Sequence, residues 1–168
     1  MLADDLRTLQ APLKERYRAD ATAAEVTLSA TGTLDDGVSC SVRTGAAIAS
    51  AGLHPASGGD GSLLCSGDML LEALVACAGV TLRAVSTSLD IPVAAGTVSA
   101  EGDIDFRGTM GVSKEAPVGL HAIRLRFDLD TTATDEQLDT LLRLTERYCV
   151  VLQTLANTPE LSTTLARA

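Results

Sequence analysis

The chain has 168 residues, enough for one domain that buries a hydrophobic core without disulfides or a structural metal. Hydrophobic residues make up 46% of the sequence and aromatic residues only 2%, so Ala, Val and Leu must fill the core. Aromatic platforms on which bases or sugar rings stack are therefore scarce. The net charge of -9 repels nucleic acids and anionic membrane surfaces, and neither is expected as a partner.

The sequence pattern also favours one cellular compartment. Residues 1–18 contain no apolar stretch of the kind found in a signal peptide, and the longest apolar run is expected to be too short to cross a bilayer. We therefore expect a cytoplasmic protein. In that compartment its 4 cysteines should be thiols, so any disulfide between them would be transient and functional.

The N-terminal segment is predicted to be helical. In residues 3–18, apolar side chains recur every three or four positions, at Leu6, Leu9, Leu13 and Tyr17. This spacing is typical of an amphipathic helix, although Pro12 predicts a kink or break within it. We assign residues 1–22 to an N-terminal helical extension and residues 23–168 to the main domain.

Residues 24–44 are predicted to form a β-hairpin. Apolar and polar residues alternate on both sides of Asp36-Gly37, a pair that favours a tight turn. A loop rich in Gly and Ser follows, from Gly52 to about Ser66.

The next segment, SGDMLLEALVACAGVTLRAVSTSL, is predicted to be a helix capped by Ser66 or Asp68. Residues 69–82 are apolar on nearly every side, so other protein must cover this helix on every side. Its alanines and glycine are small enough to let another backbone come close. One domain with a modest sheet is not expected to cover such a helix alone, and the pattern therefore favours a second subunit.

Two later segments, residues 98–106 and 123–129, alternate between apolar and polar residues. The polar positions are mainly acidic in the first segment, whereas arginines begin those of the second. This pattern predicts an antiparallel strand pair with one solvated face, on which acids lie opposite arginines.

The C-terminal part begins with Thr134-Asp-Glu-Gln137, a capping box that predicts the start of a helix. Leu138, Leu141, Leu142 and Leu144 form its apolar side, and it should run to Tyr148-Cys149. The segment CVVLQTLAN either continues this helix or begins a short new one. Residues 161–165 are predicted to form a last strand. The order of helices and strands predicts an α+β fold.

A reactive cysteine needs a positive charge or a helix start nearby, and a route for its substrate. Spacing alone favours a core role for Cys40, which alternates with Val38 and Val42, and a structural role for Cys65. It also favours core packing for Cys77, inside the apolar helix. For Cys149, at a helix junction, the structural and reactive interpretations stay equally open.

Neither a metal nor a phosphate-binding cofactor is predicted. The sequence has no C-x-x-C pair, and His54 and His121 are isolated, a solvated loop residue and a surface residue respectively. The run Gly58-Gly59-Asp60-Gly61 is not closely preceded by a strand or followed by a lysine, so it gives little support for a phosphate loop.

The stretch SGDMLLEALVACAGVTLRAV, with ERYCVVLQTLAN about seventy residues later, resembles the OsmC/Ohr family. Members carry a cysteine in a buried helix after an E-L-L-x-A-A-L-A-x-C type of run, then a long antiparallel hairpin, then a second cysteine that opens a later helix. The resemblance covers about residues 24–166. It implies an OsmC-like domain at 23–168, with antiparallel sheets wrapped around central helices in an intertwined homodimer.

Known members of this family reduce organic hydroperoxides. The first cysteine attacks the O–O bond and becomes a sulfenic acid, and the second condenses with it to a disulfide that a dithiol then reduces. By this resemblance Cys77 would be the peroxidatic residue and Cys149 the resolving residue. The implied partners are an organic hydroperoxide and a dithiol reductant, with no cofactor.

The chain departs from the family pattern around the first cysteine. Peroxidase members carry a Glu about ten residues before it, which pairs with an activating Arg. Here that position is Gly67, with Asp68 beside it, and Arg43 is the nearest counterpart of the Arg. Val150 replaces the Pro after the second cysteine. The alternative function is therefore an OsmC-like protein that binds a small apolar or electrophilic ligand without turnover.

Overall fold

The computed structural model describes residues 3–35, 39–42 and 51–167. These residues form a mixed helix and sheet fold, which confirms the predicted α+β class. The elements in chain order are α1 (Ala3–Ala19), β1 (Glu25–Asp35), β2 (Ser39–Val42), β3 (Ala51–Gly52), β4 (Leu64–Cys65), α2 (Ser66–Ser88), β5 (Ala95–Asp105), α3 (Phe106–Thr109), β6 (Leu120–Asp130), α4 (Asp135–Tyr148) and α5 (Val150–Ala156).

The main sheet has four strands in the order β2-β1-β5-β6, and every neighbouring pair is antiparallel. The predicted hairpin is present as β1 and β2, with Leu34 opposite Cys40, although its predicted turn at Asp36-Gly37 lies outside the described residues. The second predicted pair is present as β5 and β6. The short strands β3 and β4 form a separate parallel pair within the Gly/Ser-rich loop.

The solvated face of the sheet carries the predicted pairs of acids and arginines. Arg124 on β6 lies directly opposite Glu101 on β5 and donates to its Oε2 atom at 3.3 Å. It also donates to Asp103 Oδ1 at 2.9 Å. Exposed ion pairs such as these contribute about 0–1 kcal/mol each, so the register of the strands depends mainly on the other, apolar face.

That apolar face packs against α2, which supplies much of the core. Leu71, Leu74, Val75, Ala78 and Leu82 of α2 are at most 1% exposed. They form one cluster with Val98 and Ala100 of β5 and with Leu141 of α4. The central helix is thus covered by the sheet on one side and by α4 and α5 on another.

Two expectations for α2 were wrong. Its N-cap is Cys65, whose side chain makes no capping hydrogen bond, because the chain already becomes helical at Ser66. The sequence analysis also expected the apolar run to be too short to cross a bilayer, whereas the 23 residues of α2 are long and apolar enough by length and composition. A core helix of a soluble protein passes the same test. Since α2 packs against the sheet, α4 and α5, its composition does not by itself indicate a membrane protein.

The N-terminal helix α1 packs onto the rest of the fold. It is continuous from Ala3 to Ala19 with Pro12 inside it, so the predicted break does not occur. Tyr17 is 1% exposed, packs with Ala24, Phe106 and Met110, and donates its hydroxyl to the carbonyl oxygen of Ala56. The domain boundary after residue 22 stays a prediction.

The C-terminal part matches the prediction in its helices but not in its strand. Cys149 ends α4 and also begins α5, so the segment after it forms a new helix. The predicted strand at residues 161–165 was wrong, because this segment pairs with no strand among the described residues and Leu161 and Leu165 are exposed. Without a neighbouring strand its backbone has no ladder of hydrogen bonds.

The predicted capping box at the start of α4 is confirmed and can be tested. Thr134 Oγ1 accepts from the backbone N–H of Gln137 at 3.3 Å, and Gln137 Oε1 accepts from the backbone N–H of Thr134 at 3.0 Å. Thr134→Ala should lower the free energy of unfolding by about 1 kcal/mol, measured by urea denaturation, because one helix N–H loses its acceptor. Thr134→Ser keeps the acceptor and should stay close to wild type. Equal losses in both variants would contradict the capping role.

Candidate functional site

Two cysteines from distant parts of the chain meet between α2 and the junction of α4 and α5. Cys77 lies in the middle of α2 and is partly exposed, whereas Cys149 is 0% exposed. The two side chains are in hydrogen-bond contact, and both cysteines are free thiols. The structure therefore brings together the two cysteines that the family resemblance singled out.

Helical periodicity explains the position of each thiol. On α4, Leu141, Thr145 and Cys149 follow one another at four-residue intervals and are all buried, so they share the side of the helix that packs on α2. On α2, Cys77 immediately precedes the fully buried Ala78 and lies toward the edge of the buried side. The difference in burial between the two thiols follows from these two positions.

The surroundings of Cys149 keep its thiol protonated. Burial, and to a smaller extent the hydrogen bond with Cys77, raise the pKa of Cys149 to about 11. Backbone N–H groups of Leu152 and Val151, in the first turn of α5, act in the opposite direction because they favour the thiolate. No cation among the described residues contributes to this balance. At neutral pH the resting site therefore holds Cys149 as a neutral thiol.

The acid next to the family's Glu position does not reach the thiols. Asp68 precedes Cys77 by nine residues, which is two and a half helical turns, so it points to the opposite side of α2. Burial raises the pKa of Asp68, while the charge of His54 lowers it. Burial and the charge of Asp68 raise the pKa of Glu72, one turn further along. Asp68 and Glu72 thus interact with each other rather than with Cys77.

His54 is not the solvated loop residue that the sequence predicts. Its Nδ1 atom accepts from the backbone N–H of Ala56 at 3.0 Å, and its ring stacks on Phe106 with the centroids 5.0 Å apart. His121 is exposed, as expected. Over residues 3–35, 39–42 and 51–167 there is no cluster of three or more His, Cys, Asp or Glu side chains able to hold a metal ion.

Two further residues were considered for the site, Arg43 and Cys65. Arg43 lies outside the described residues. Cys65 is partly buried at the start of α2 and packs against the core, which agrees with a structural role. It lies twelve residues before Cys77, more than three helical turns away.

A groove of about 480 Å³ begins one helical turn after Cys77, between the C-terminal half of α2 and the end of α4. On α2, Val80 and Thr81 follow Cys77 by one helical turn, and on α4 Tyr148 directly precedes Cys149. The residues that line the groove are Val80, Thr81, Ala84, Val85, Ser88, Leu89, Leu144 and Tyr148. None of these side chains is charged, so the groove suits an apolar group.

The sequence analysis missed one polar residue of this region. Thr145 is 1% exposed, and its hydroxyl has no hydrogen-bond partner among the described residues. The signal that could have found it is its spacing, four residues before Cys149 on a predicted helix.

The comparisons with known proteins agree with this architecture. A model of the family described as OsmC-like protein matches residues 59–164, a segment that includes α2, both thiols, β5, β6, α4 and α5. The chain belongs to the OsmC family. Its structure is similar to that of an OsmC-like hydroperoxide resistance protein from Jannaschia sp. CCS1, with 16% identity and a TM-score of 0.62, over 86% of this chain and 95% of that one. At this identity the similarity establishes the OsmC-like fold alone. No curated protein matches the chain.

The raised pKa of Cys149 predicts a loss of stability at alkaline pH. Between the ordinary thiol pKa of about 8.5 and the raised value of about 11, the unfolded chain loses this proton while the folded chain keeps it. Raising the pH through this range should therefore lower the free energy of unfolding, and the stability should be fully present below it. Denaturant titrations from pH 8 to 11 should show that the free energy of unfolding falls less steeply with pH in Cys149→Ala than in wild type. Cys65→Ala is the control and should follow wild type. Parallel curves for wild type and Cys149→Ala would contradict this assignment.

Proposed function

We propose that the protein reduces organic hydroperoxides with its two contacting thiols. The observation that carries this proposal is the contact between the partly exposed Cys77 and the fully buried Cys149. The structural similarity to a hydroperoxide resistance protein supports it.

The two thiols take different roles because they differ in access. A peroxide reaches Cys77 from the surface, whereas Cys149 is enclosed and meets Cys77. The Cys77 thiolate attacks one peroxide oxygen, the O–O bond breaks, and the alcohol leaves with a proton. Cys77 becomes a sulfenic acid, and Cys149 then attacks its sulfur, releasing water and forming a disulfide. An external dithiol reduces this disulfide and restores both thiols.

The substrate class follows from the groove beside Cys77. Its described lining carries no charged side chain, and the groove is much larger than hydrogen peroxide requires. An apolar organic group bound there would place its hydroperoxide end toward Cys77, one helical turn away. We therefore propose organic hydroperoxides as the preferred substrates over hydrogen peroxide.

Activation of Cys77 needs a cation or another donor, since the described residues around Cys149 supply none that is charged. We propose Arg43 for this role, as the nearest counterpart of the family's activating Arg. A cytoplasmic location, where dithiol reductants keep cysteines reduced, agrees with this chemistry.

We also propose that the protein works as a homodimer. One side of α2 is apolar but uncovered in the single chain: Leu70 and Val80 are each 39% exposed, and Ala73 is exposed between them. Cys77 lies on the same side, three residues before Val80. A second copy packed on this side would remove the apolar surface from water and complete the wall around Cys77.

The second candidate function is binding of a small apolar or electrophilic ligand without turnover. It is favoured by the position of Asp68 on the far side of α2, which removes the acid from the thiol that it would help to activate. In that case the groove would bind the ligand, and Cys77 would serve as a contact or a site of covalent capture.

Cysteine variants separate these two functions. Cys77→Ser should abolish consumption of cumene hydroperoxide, because the attacking sulfur is lost. Cys149→Ser should still consume one equivalent and leave a sulfenic acid at Cys77 that dimedone traps, but it should not turn over. Cys65→Ala is the control and should behave as wild type. Equal, slow consumption by wild type and Cys77→Ser would reject the peroxidase and leave ligand binding.

Arg43→Ala tests the proposed activating cation. It should slow the first step, followed as sulfenic acid formation in the Cys149→Ser background, without changing the assembly state. If the Arg43→Ala variant forms the sulfenic acid as fast as Cys149→Ser alone, Arg43 is not the activating cation.

Dimerisation is tested by placing a charge on the uncovered side of α2. Val80→Asp should convert the dimer to monomer in sedimentation at micromolar concentration, because burying an unpaired carboxylate in an apolar interface costs several kcal/mol. Val118→Asp, at a residue that is 66% exposed in a loop, is the matched control and should remain dimeric. A compact wild-type monomer would contradict the proposed assembly.

A further inference from the structure

Thr145 carries a buried hydroxyl that makes no hydrogen bond with the described residues. The residue is 1% exposed on the side of α4 that packs on α2, and its Oγ1 atom has no partner among the described residues. An unpaired hydroxyl removed from water destabilises the folded state relative to an apolar group of the same shape. If this position served only packing, Val would stabilise the fold more than Thr, because it has the same shape without the hydroxyl.

The position of this hydroxyl relates it to Cys149. Thr145 precedes Cys149 by four residues, and the Cys149 N–H donates to the Thr145 carbonyl at 2.9 Å, so the two residues lie one above the other on the same side of α4. Side chains four residues apart on a helix have their β-carbons about 5–6 Å apart and lean toward the N-terminus. The β-carbons of Thr145 and Cys149 are therefore neighbours on this buried side, although the Cys149 thiol also interacts with N–H groups of Leu152 and Val151 in α5. Threonine in a helix populates two χ1 rotamers, and a rotation between them redirects its hydroxyl.

We propose that Thr145 is a positioning residue for the second step of the reaction, in which its hydroxyl donates a hydrogen bond to the Cys149 sulfur as that sulfur becomes a thiolate. This inference rests on the proposed function, since it concerns the step that forms the Cys77–Cys149 disulfide. In that step the Cys149 thiolate forms the S–S bond with Cys77, the S–O bond of the sulfenic acid breaks, and the leaving hydroxide takes a proton to become water. The organic hydroperoxide supplied the oxidising equivalents in the first step.

The step requires such a donor because the resting surroundings of Cys149 oppose its ionisation. Burial and the neighbouring Cys77 both favour the protonated thiol. The groups that favour the thiolate, among the described residues, are the backbone N–H groups of Leu152 and Val151. Thr145 has an unused donor one helical turn before Cys149 on the same buried side of α4. A hydrogen bond from this hydroxyl to the Cys149 thiolate would give the hydroxyl a partner during the step that forms the disulfide.

The test compares Thr145→Val, which keeps the shape and removes the hydroxyl, with Thr145→Ser, which keeps the hydroxyl. Thr140→Val is the matched control, the same substitution on the same helix and five residues from Thr145. In single-turnover mixing with cumene hydroperoxide, sulfenic acid formation and its decay to the disulfide are followed separately from pH 6 to 10. The same variants are also oxidised with diamide, which forms the disulfide without a peroxide.

Thr145→Val should form the sulfenic acid at the wild-type rate but convert it to the disulfide about tenfold more slowly, the usual effect of losing a hydrogen bond to a charged group. The apparent pKa of this conversion should move upward. The Thr145→Val protein should unfold at the same temperature as wild type or higher, since it loses an unpaired buried hydroxyl. Thr145→Ser and Thr140→Val should both convert as wild type does.

The outcomes separate this inference from the proposed function. If wild type forms no sulfenic acid with the peroxide but Thr145→Val still slows disulfide formation by diamide, the peroxidase proposal fails and the role of Thr145 stands. If Thr145→Val forms the disulfide at the wild-type rate and with an unchanged pH profile under both oxidants, the role of Thr145 is overturned. A loss of rate shared by Thr140→Val would also overturn it, because that loss would come from helix packing.

Discussion

Burial of α2 is the constraint on which the rest of the structure depends. A helix that carries apolar residues around most of its circumference is stable only when other elements remove that surface from water. The four-stranded sheet covers one side of α2, and α4 and α5 cover another. Each of these elements is therefore positioned by contacts with the same helix, and part of the apolar surface of α2, including Leu70 and Val80, stays exposed in the single chain.

The same constraint creates the thiol site. Because α4 must place an apolar side against α2, Cys149 at the end of that side is driven into the interface, where it meets Cys77. Burial makes Cys149 a weak acid and protects it from reagents in solvent. The outer position of Cys77 leaves it partly exposed and next to an uncharged groove. The difference in exposure between the two cysteines thus comes from packing.

Local patterns in the sequence determined the elements of this fold. The alternation in β5 and β6, the capping box at Thr134, and the apolar run of α2 each act over a few residues, so sequence alone predicts them. The pairing of Arg124 with acids on β5 could be predicted for the same reason, because strand alternation places side chains on one face. The prediction failed for residues 161–165, where a strand requires a neighbour that the sequence pattern does not reveal.

Only the tertiary structure decided which polar groups act together. Spacing along the chain did not place the Cys149 thiol against Cys77, or put His54 against Phe106. It also left Thr145 unnoticed, since a buried hydroxyl without a partner among the described residues is defined by everything packed around it. The sequence by itself determined the class of fold and the family through short-range periodicity and motif. The chemistry of the site depends on burial and long-range contacts, which exist only once α2, α4 and the sheet have come together.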